Sequence, residues 1–206
     1  MHHHKKLHAT FYQSPDVLTL CKDLIGKVLV SRVDGLLTSG IIVEAEAYRA
    51  PDDSACHAFG DRRTERTEVM FAPGGVAYIY ICYGIHHLFN VVTGPGNSAH
   101  AILIRALEPL EGIDIMLERR KMHKVEPKIT KGPGALSMAM GFDRSMSGQS
   151  LVTSNSLFYI EDRNIQCTED KIATGPRIGC ERAGVSASWP WRYYVRNHPN
   201  VSAKKS

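Results

Sequence analysis

Apolar and polar positions alternate along much of this chain with the period of two that marks a β-strand. The sharpest such stretch is Ile41-Ile42-Val43-Glu44-Ala45-Glu46-Ala47-Tyr48. Its spacing sets Ile41, Val43, Ala45 and Ala47 on one face, and Ile42, Glu44, Glu46 and Tyr48 on the other. The first face is apolar and is expected on the core. The second lines up two carboxylates and a phenol, although acids are uncommon in strands. Solvent is the commoner destination of acidic residues. The alternative is a site in which one carboxylate acts as a base and the tyrosine holds a flat ligand.

The same period predicts strands over 27–32, 76–82, 87–93, 99–107, 151–161, 171–179 and 191–196. Tyr78 and Tyr80 share one face of their strand. In 99–107, Leu103 and Arg105 face away from Ile102, Ile104 and Ala106. Asp34-Gly35 and Tyr83-Gly84-Ile85-His86 read as hairpin turns. Helical spacing joins Val17, Leu18, Cys21, Leu24 and Ile25, with Ser14 as cap, Pro15 at the first helical position and Gly26 as terminator. A second helix begins at Ile113, Met116 and Leu117, with Pro127 as its expected end. A third, 135–140, follows the turn Lys131-Gly132-Pro133-Gly134, which is either a plain joint or a phosphate-binding helix start. Residues 49–75 read as a long basic loop with a turn at 50–53 and one short helix near 54–58. Strands joined by hairpins, with few helices, predict an α+β fold. The expectation is one domain over 14–200, between tails at 1–13 and 201–206, built on a mixed but mainly antiparallel sheet with flanking helices and a protruding β-hairpin.

Composition changes this picture little. Of 206 residues, 43% are hydrophobic and 22% charged, which is ordinary for a globular protein. The net charge of +4 is compatible with a nucleic-acid partner. Five cysteines without C-x-x-C spacing suggest a reduced, intracellular protein without structural zinc. Neither a membrane-length apolar run nor a signal peptide is visible. The histidine-rich start is set aside. Walker, G-x-G-x-x-G, G-x-S-x-G, H-E-x-x-H and zinc-deaminase motifs are missing. His57, His86, His87 and His100 lack ligand spacing on one element, so neither metal nor cofactor is expected. The tyrosines stand out. Tyr48 adjoins the acids, Tyr80 lies mid-strand and Tyr83 sits at a hairpin tip. Singly each reads as a packed aromatic; together they could sandwich a base and wedge into a stack.

V-E-A-E-A-Y (43–48), the P-x-x-x-x-x-H from Pro51 to His57, M-F-A-P-G (70–74), Y-I-Y-I-C-Y-G (78–84), N-V (90–91) and L-I-R-A-L-E-P-L-E-G (103–112) resemble the alkyladenine (3-methyladenine) DNA glycosylase family. K-G-P-G-A-L (131–136), P-R-I-G (176–179) and W-R-Y-Y-V-R (191–196) are similar to it in order and spacing. The resemblance implies a monofunctional glycosylase that flips alkylated or deaminated purines, such as 3-methyladenine and hypoxanthine, from duplex DNA and hydrolyses the N-glycosidic bond. It implies Glu46 as general base, with Glu44 the runner-up on the same strand face, and Arg105 beside the base and its water. Tyr48, His57 and Tyr80 would enclose the flipped base, Asn90 would disfavour the amine of guanine, and Tyr83 would be the wedge. It also implies a monomer with double-stranded DNA as partner, no membrane, and residence in the cytoplasm or nucleoid of a bacterium or the nucleus of a eukaryote. A non-catalytic nucleic-acid-binding module of the same fold is the other reading. Glu46 separates the two, because an acid near phosphates weakens a mere binder.

Overall fold

A computed structural model describes residues 5–165 and 167–202; the histidine-rich start, residues 1–4, lies outside the described residues. In chain order the elements are β1 (Lys5–Lys6), α1 (Ala9–Tyr12), α2 (Val17–Asp23), β2 (Val28–Ser31), β3 (Thr38–Arg49), β4 (Ala77–Cys82), β5 (His86–Thr93), β6 (His100–Glu111), α3 (Ile113–Arg120), α4 (Pro133–Met140), β7 (Phe158–Asp162), β8 (Ile172–Gly175) and β9 (Arg192–Val195). The strands form one nine-stranded sheet in the order β1-β7-β2-β3-β6-β5-β4, with β9 pairing both β3 and β8. Every named pairing among the described residues is antiparallel. This is the α+β architecture that the strand and hairpin pattern predicts.

Alternation along the strands divides the sheet into two differently covered faces. Ile79, Phe89, Ile102 and Ile104 point to the face where the helices supply Leu20, Leu24, Met116, Leu136 and Met140. Phe89 stacks on Phe142 at 4.4 Å and meets Phe158 edge-on at 5.4 Å. Ala101, Tyr78 and Val92 point to the opposite face, covered by the loop after β3 through Cys56, Ala58, Met70 and Phe71. That loop carries short 3-10 turns at Phe59–Asp61 and Glu68–Phe71 in place of the expected helix near 54–58.

The alternation in β3 breaks midway. Its register against β6 shifts between Ile42 and Glu44 and again between Glu44 and Ala45. The first shift, a β-bulge, leaves Val43 unpaired and the second leaves Arg105 of β6 unpaired, so both strands exchange faces there and the register is recovered beyond. Ile42 therefore joins Ala45 and Ala47 in the core, while Ile41, expected there, is half-buried. Beyond the bulge β3 has strands on both sides: Glu44 and Glu46 oppose Tyr194 and Arg192 of β9, and Ala106 and Leu103 of β6. A strand paired on both edges and covered by a loop cannot show its acids to water. Glu44 and Glu46 are both 0% exposed, so the solvated-face reading fails.

Several local expectations also change. Asp16, not Ser14, caps α2: its carboxylate accepts from the N–H groups of Leu18 and Thr19, both at 3.1 Å. α3 stops at Lys121, which adopts φ 52°, well before Pro127. Residues 151–157 form turns, leaving a strand only over β7. Residues 5–12, expected as tail, form β1 and α1; Lys6 pairs with Glu161, and Tyr12 is fully buried. At the other end Val201 and Ser202 bond back onto the domain. Among the described residues no helix is long and apolar enough to cross a membrane.

The cap assignment is testable by urea unfolding. Asp16→Ala should destabilise the protein by about 1 kcal/mol, the usual value of a lost N-cap, whereas Ser14→Ala should change stability much less. The reverse ranking would return the cap to Ser14.

Candidate active site

The loop-covered face of the sheet holds a cavity of about 700 Å³, within the range of small-molecule sites. It is lined by Tyr48, His57, Tyr80, Asn90 and Arg105, with Tyr83 at its mouth. Strands β3, β4, β5 and β6 each supply one or more of these side chains because 48, 80, 90, 103 and 105 share one face. Six of the seven residues singled out in the sequence thus line one space. The seventh, Glu46, lies directly behind its wall, and its three hydrogen-bond donors, Tyr48, Arg105 and Ile178, all line the cavity.

Glu46 is held from three directions. Oε2 accepts from the Tyr48 hydroxyl at 2.8 Å and from Arg105 Nη1 at 3.1 Å. Oε1 accepts from the Ile178 N–H at 2.7 Å. Burial alone would lower the Arg105 pKa, but the charges of Glu46 and Glu44 outweigh it and raise it. Arg105 is a fixed cation. Burial, and then the Glu46 charge, push the Tyr48 hydroxyl well above its ordinary range. Tyr48 is therefore a neutral donor, and Cys180 Sγ lies 3.5 Å from its oxygen. A carboxylate offers about four acceptor positions; three are filled by these donors.

The walls are aromatic. His57 meets Tyr80 edge-on at 4.6 Å, and its Nδ1 lies 2.8 Å from the Tyr78 hydroxyl. Burial first, and then the Arg66 charge, depress the His57 pKa to about 4, so the ring is neutral near pH 7. Arg66 Nη2 sits 3.1 Å from His57 Nε2. With that nitrogen accepting, Nδ1 donates to Tyr78. Asn90 is locked, its amide nitrogen donating to the carbonyls of Tyr78 and Leu88 at 3.0 and 3.1 Å. Its carbonyl oxygen takes no part in those bonds.

Behind Tyr48 stands a second buried pair. Arg177 lies 4.7 Å from the Tyr48 ring centre and forks onto the Asp53 carboxylate. It also donates to the Ala47 and Ser186 carbonyls at 2.9 and 3.0 Å. Sequence reasoning assigned no role to Asp53, Arg66, Arg177 or Cys180. The P-R-I-G run containing Arg177 was the one available signal for one of them.

Tyr83 tops the β4–β5 hairpin and is 89% exposed, with Ile85 at 68%. The turn closes with the Ile85 N–H donating to the Cys82 carbonyl at 3.2 Å. Tyr83 and Gly84 have φ of 51° and 73°. Positive φ at both central residues favours Asn-Gly or Gly-Gly, and a bulky aromatic there is an outlier. Backbone strain of this kind points to a functional reason for the side chain. Among the described residues, no group of three or more His, Cys, Asp or Glu side chains is placed to hold a metal ion.

Comparison with known proteins gives these features a context. Residues 10–199 match the family described as methylpurine-DNA glycosylase (MPG). A Bacillus cereus (strain G9842) protein named "Putative 3-methyladenine DNA glycosylase" is 46% identical over 204 residues, covering 95% of this chain and 98% of that one. A Chlamydia felis (strain Fe/C-56) protein of the same name is 45% identical over 187 residues, covering 90% and 94%. With similarity of this degree along nearly its whole length, the chain belongs to the methylpurine-DNA glycosylase family.

Proposed function

We propose that this protein is a monofunctional DNA glycosylase that extrudes alkylated or deaminated purines, 3-methyladenine and hypoxanthine among them, from double-stranded DNA and hydrolyses the N-glycosidic bond. The observation that carries the reading is Glu46: a fully buried carboxylate, held by three donors behind the aromatic wall of a cavity wide enough to admit a purine. A glycosidic bond inside a duplex is out of reach, so the nucleotide must leave the stack. Tyr83 fills the gap it leaves. The base slides between Tyr48 on one side and Tyr80 with His57 on the other. The fixed Asn90 cannot move aside for the exocyclic amine of guanine.

Cleavage passes through an oxocarbenium-like sugar. The Glu46 carboxylate orients water, and its charge stabilises the developing cation. Arg105 and Tyr48 keep the carboxylate aimed. An alkylated base leaves readily because it is already cationic, so no second acid is required for it; neutral hypoxanthine departs as its anion and takes its proton from solvent water, while Glu46 takes the proton of the attacking water. A non-catalytic binder is the poorer reading. It gains nothing from two buried carboxylates, each carrying a desolvation penalty and repelling phosphate.

Three measurements test this proposal. Glu46→Gln keeps the shape and removes the base, so single-turnover excision of hypoxanthine should fall at least about 10²- to 10⁴-fold, the usual range for general-base catalysis. Duplex binding should persist or improve; excision at the wild-type rate would exclude Glu46. Tyr83→Ser should weaken binding to a duplex carrying an abasic analogue, since base–aromatic stacking contributes about 1–3 kcal/mol; unchanged affinity would reduce Tyr83 to a surface residue. Among the described residues lining the cavity there is no lysine, and Schiff-base chemistry needs an amine. Borohydride should therefore trap no protein–DNA adduct, and the product should be an intact abasic strand.

A further inference from the structure

Glu44 shares its strand with Glu46 but touches a different set of groups. Its Oε1 accepts from Arg105 Nε at 3.3 Å and from Arg192 Nη1 at 2.9 Å. Its Oε2 accepts from the Ser202 N–H at 2.8 Å. Arg105 is therefore divided between two carboxylates, Nε to Glu44 and Nη1 to Glu46. Arg192 is fixed in turn by the Pro176 carbonyl, to which its Nε donates at 3.0 Å. Neither carboxylate lines the cavity itself, but Glu46 is bonded by Tyr48, Arg105 and Ile178, which all do. Of these three groups Glu44 meets only Arg105; its other partners are Arg192 and the Ser202 N–H.

We propose that Glu44 is a positioning residue for the reaction: clamped by Arg192 and the Ser202 backbone, it holds Arg105 so that one guanidinium nitrogen reaches Glu46 and the remaining carboxylate position stays open to water. The inference rests on the glycosylase reading above. Without Glu44, Arg105 is free to fork onto Glu46 with both nitrogens, the favoured geometry of an arginine–carboxylate pair. That would occupy the position water needs. The clamp also ties the last described residues of the chain to the site, since Arg192 belongs to β9 and Ser202 follows it by ten positions.

The charges give the idea a signed consequence. The groups facing Glu46 are Arg105 from β6, Tyr48 on its own strand, Cys21 from α2, Tyr80 from β4, and Cys180 with the Ile178 N–H from the segment between β8 and β9. Glu44 and Arg192 act on this set through Arg105. Removing the negative charge of Glu44 leaves the whole of Arg105 for Glu46 and makes Glu46 easier to ionise. Removing Arg192, or the Ser202 N–H, leaves Glu44 short of donors, so it draws Arg105 away and makes Glu46 harder to ionise.

Single-turnover hypoxanthine excision measured against pH tests this, with thermal melting and binding to an abasic-analogue duplex in parallel. Glu44→Gln should slow excision by about 10- to 100-fold, the scale of a small misplacement at a reacting centre. Its duplex binding should stay near wild type, and the acid limb of its rate profile should move to lower pH. Arg192→Met and Ser202→Pro should move that limb to higher pH. A merely structural role would lower melting temperature without moving the limbs in opposite directions. If Glu44→Gln does not fold, an upward limb in Ser202→Pro, at the chain end, supports the clamp and an unmoved limb overturns it. Unmoved limbs in folded variants, with Glu46→Gln inactive, overturn the positioning role alone. A fully active Glu46→Gln overturns the catalytic reading beneath it.

Discussion

Two carboxylates and two guanidinium groups buried side by side are the constraint around which this structure is arranged. Glu44, Glu46, Arg105 and Arg192 come from three neighbouring strands and are all at least nine-tenths buried. Ions removed from water lose several kcal/mol each, and their attraction recovers that only with good geometry and further hydrogen bonds. Both are present here. Backbone N–H groups of Ile178 and Ser202 complete the carboxylates, and the Pro176 carbonyl completes Arg192. An apolar cluster would hold the strands together as well. The ionic one is explained by what it makes available: a carboxylate held behind an aromatic cavity by three donors that line it.

Much of the rest serves to place that cluster. Helices cover one face of the sheet and leave the other to the loop after β3, so a cavity can form where a helix would have filled the space. The bulge in β3 turns Ile42 into the core and still leaves both acids against Arg105. The β4–β5 hairpin ends in an exposed turn and carries a tyrosine in a backbone conformation that tyrosine disfavours. Packing sets the walls: Arg177 and Asp53 lie behind Tyr48, and the Tyr78 hydroxyl fixes His57.

What was legible in the sequence followed from local periodicity. Periodicity sets Tyr80 on one face of its strand with Tyr78, and Arg105 with Leu103 on one face of another; that these faces and Asn90 border one cavity comes from the pairing of the strands. The bulge was not legible, because an inserted residue looks the same as uninterrupted alternation when every residue from Ile41 to Val43 is apolar. The cap moved from Ser14 to Asp16 because both are good caps and only the turn geometry separates them. The clamp on Glu44 was invisible for another reason: Arg192 and Ser202 lie 148 and 158 positions away in the chain. No spacing rule connects such residues. The roles of Glu46, Arg105, Tyr48, His57, Tyr80, Asn90 and Tyr83 come from resemblance, and geometry supplies a physical reason to test each of them.

The central claim is that the buried carboxylate does chemistry on a base taken out of the stack. Incubation of the wild-type protein with a duplex containing one hypoxanthine, followed by chromatography of the small-molecule fraction, tests it most directly. The account predicts free hypoxanthine in step with abasic sites, without added metal or cofactor. A protein that binds the duplex tightly while the base stays on its sugar would contradict it.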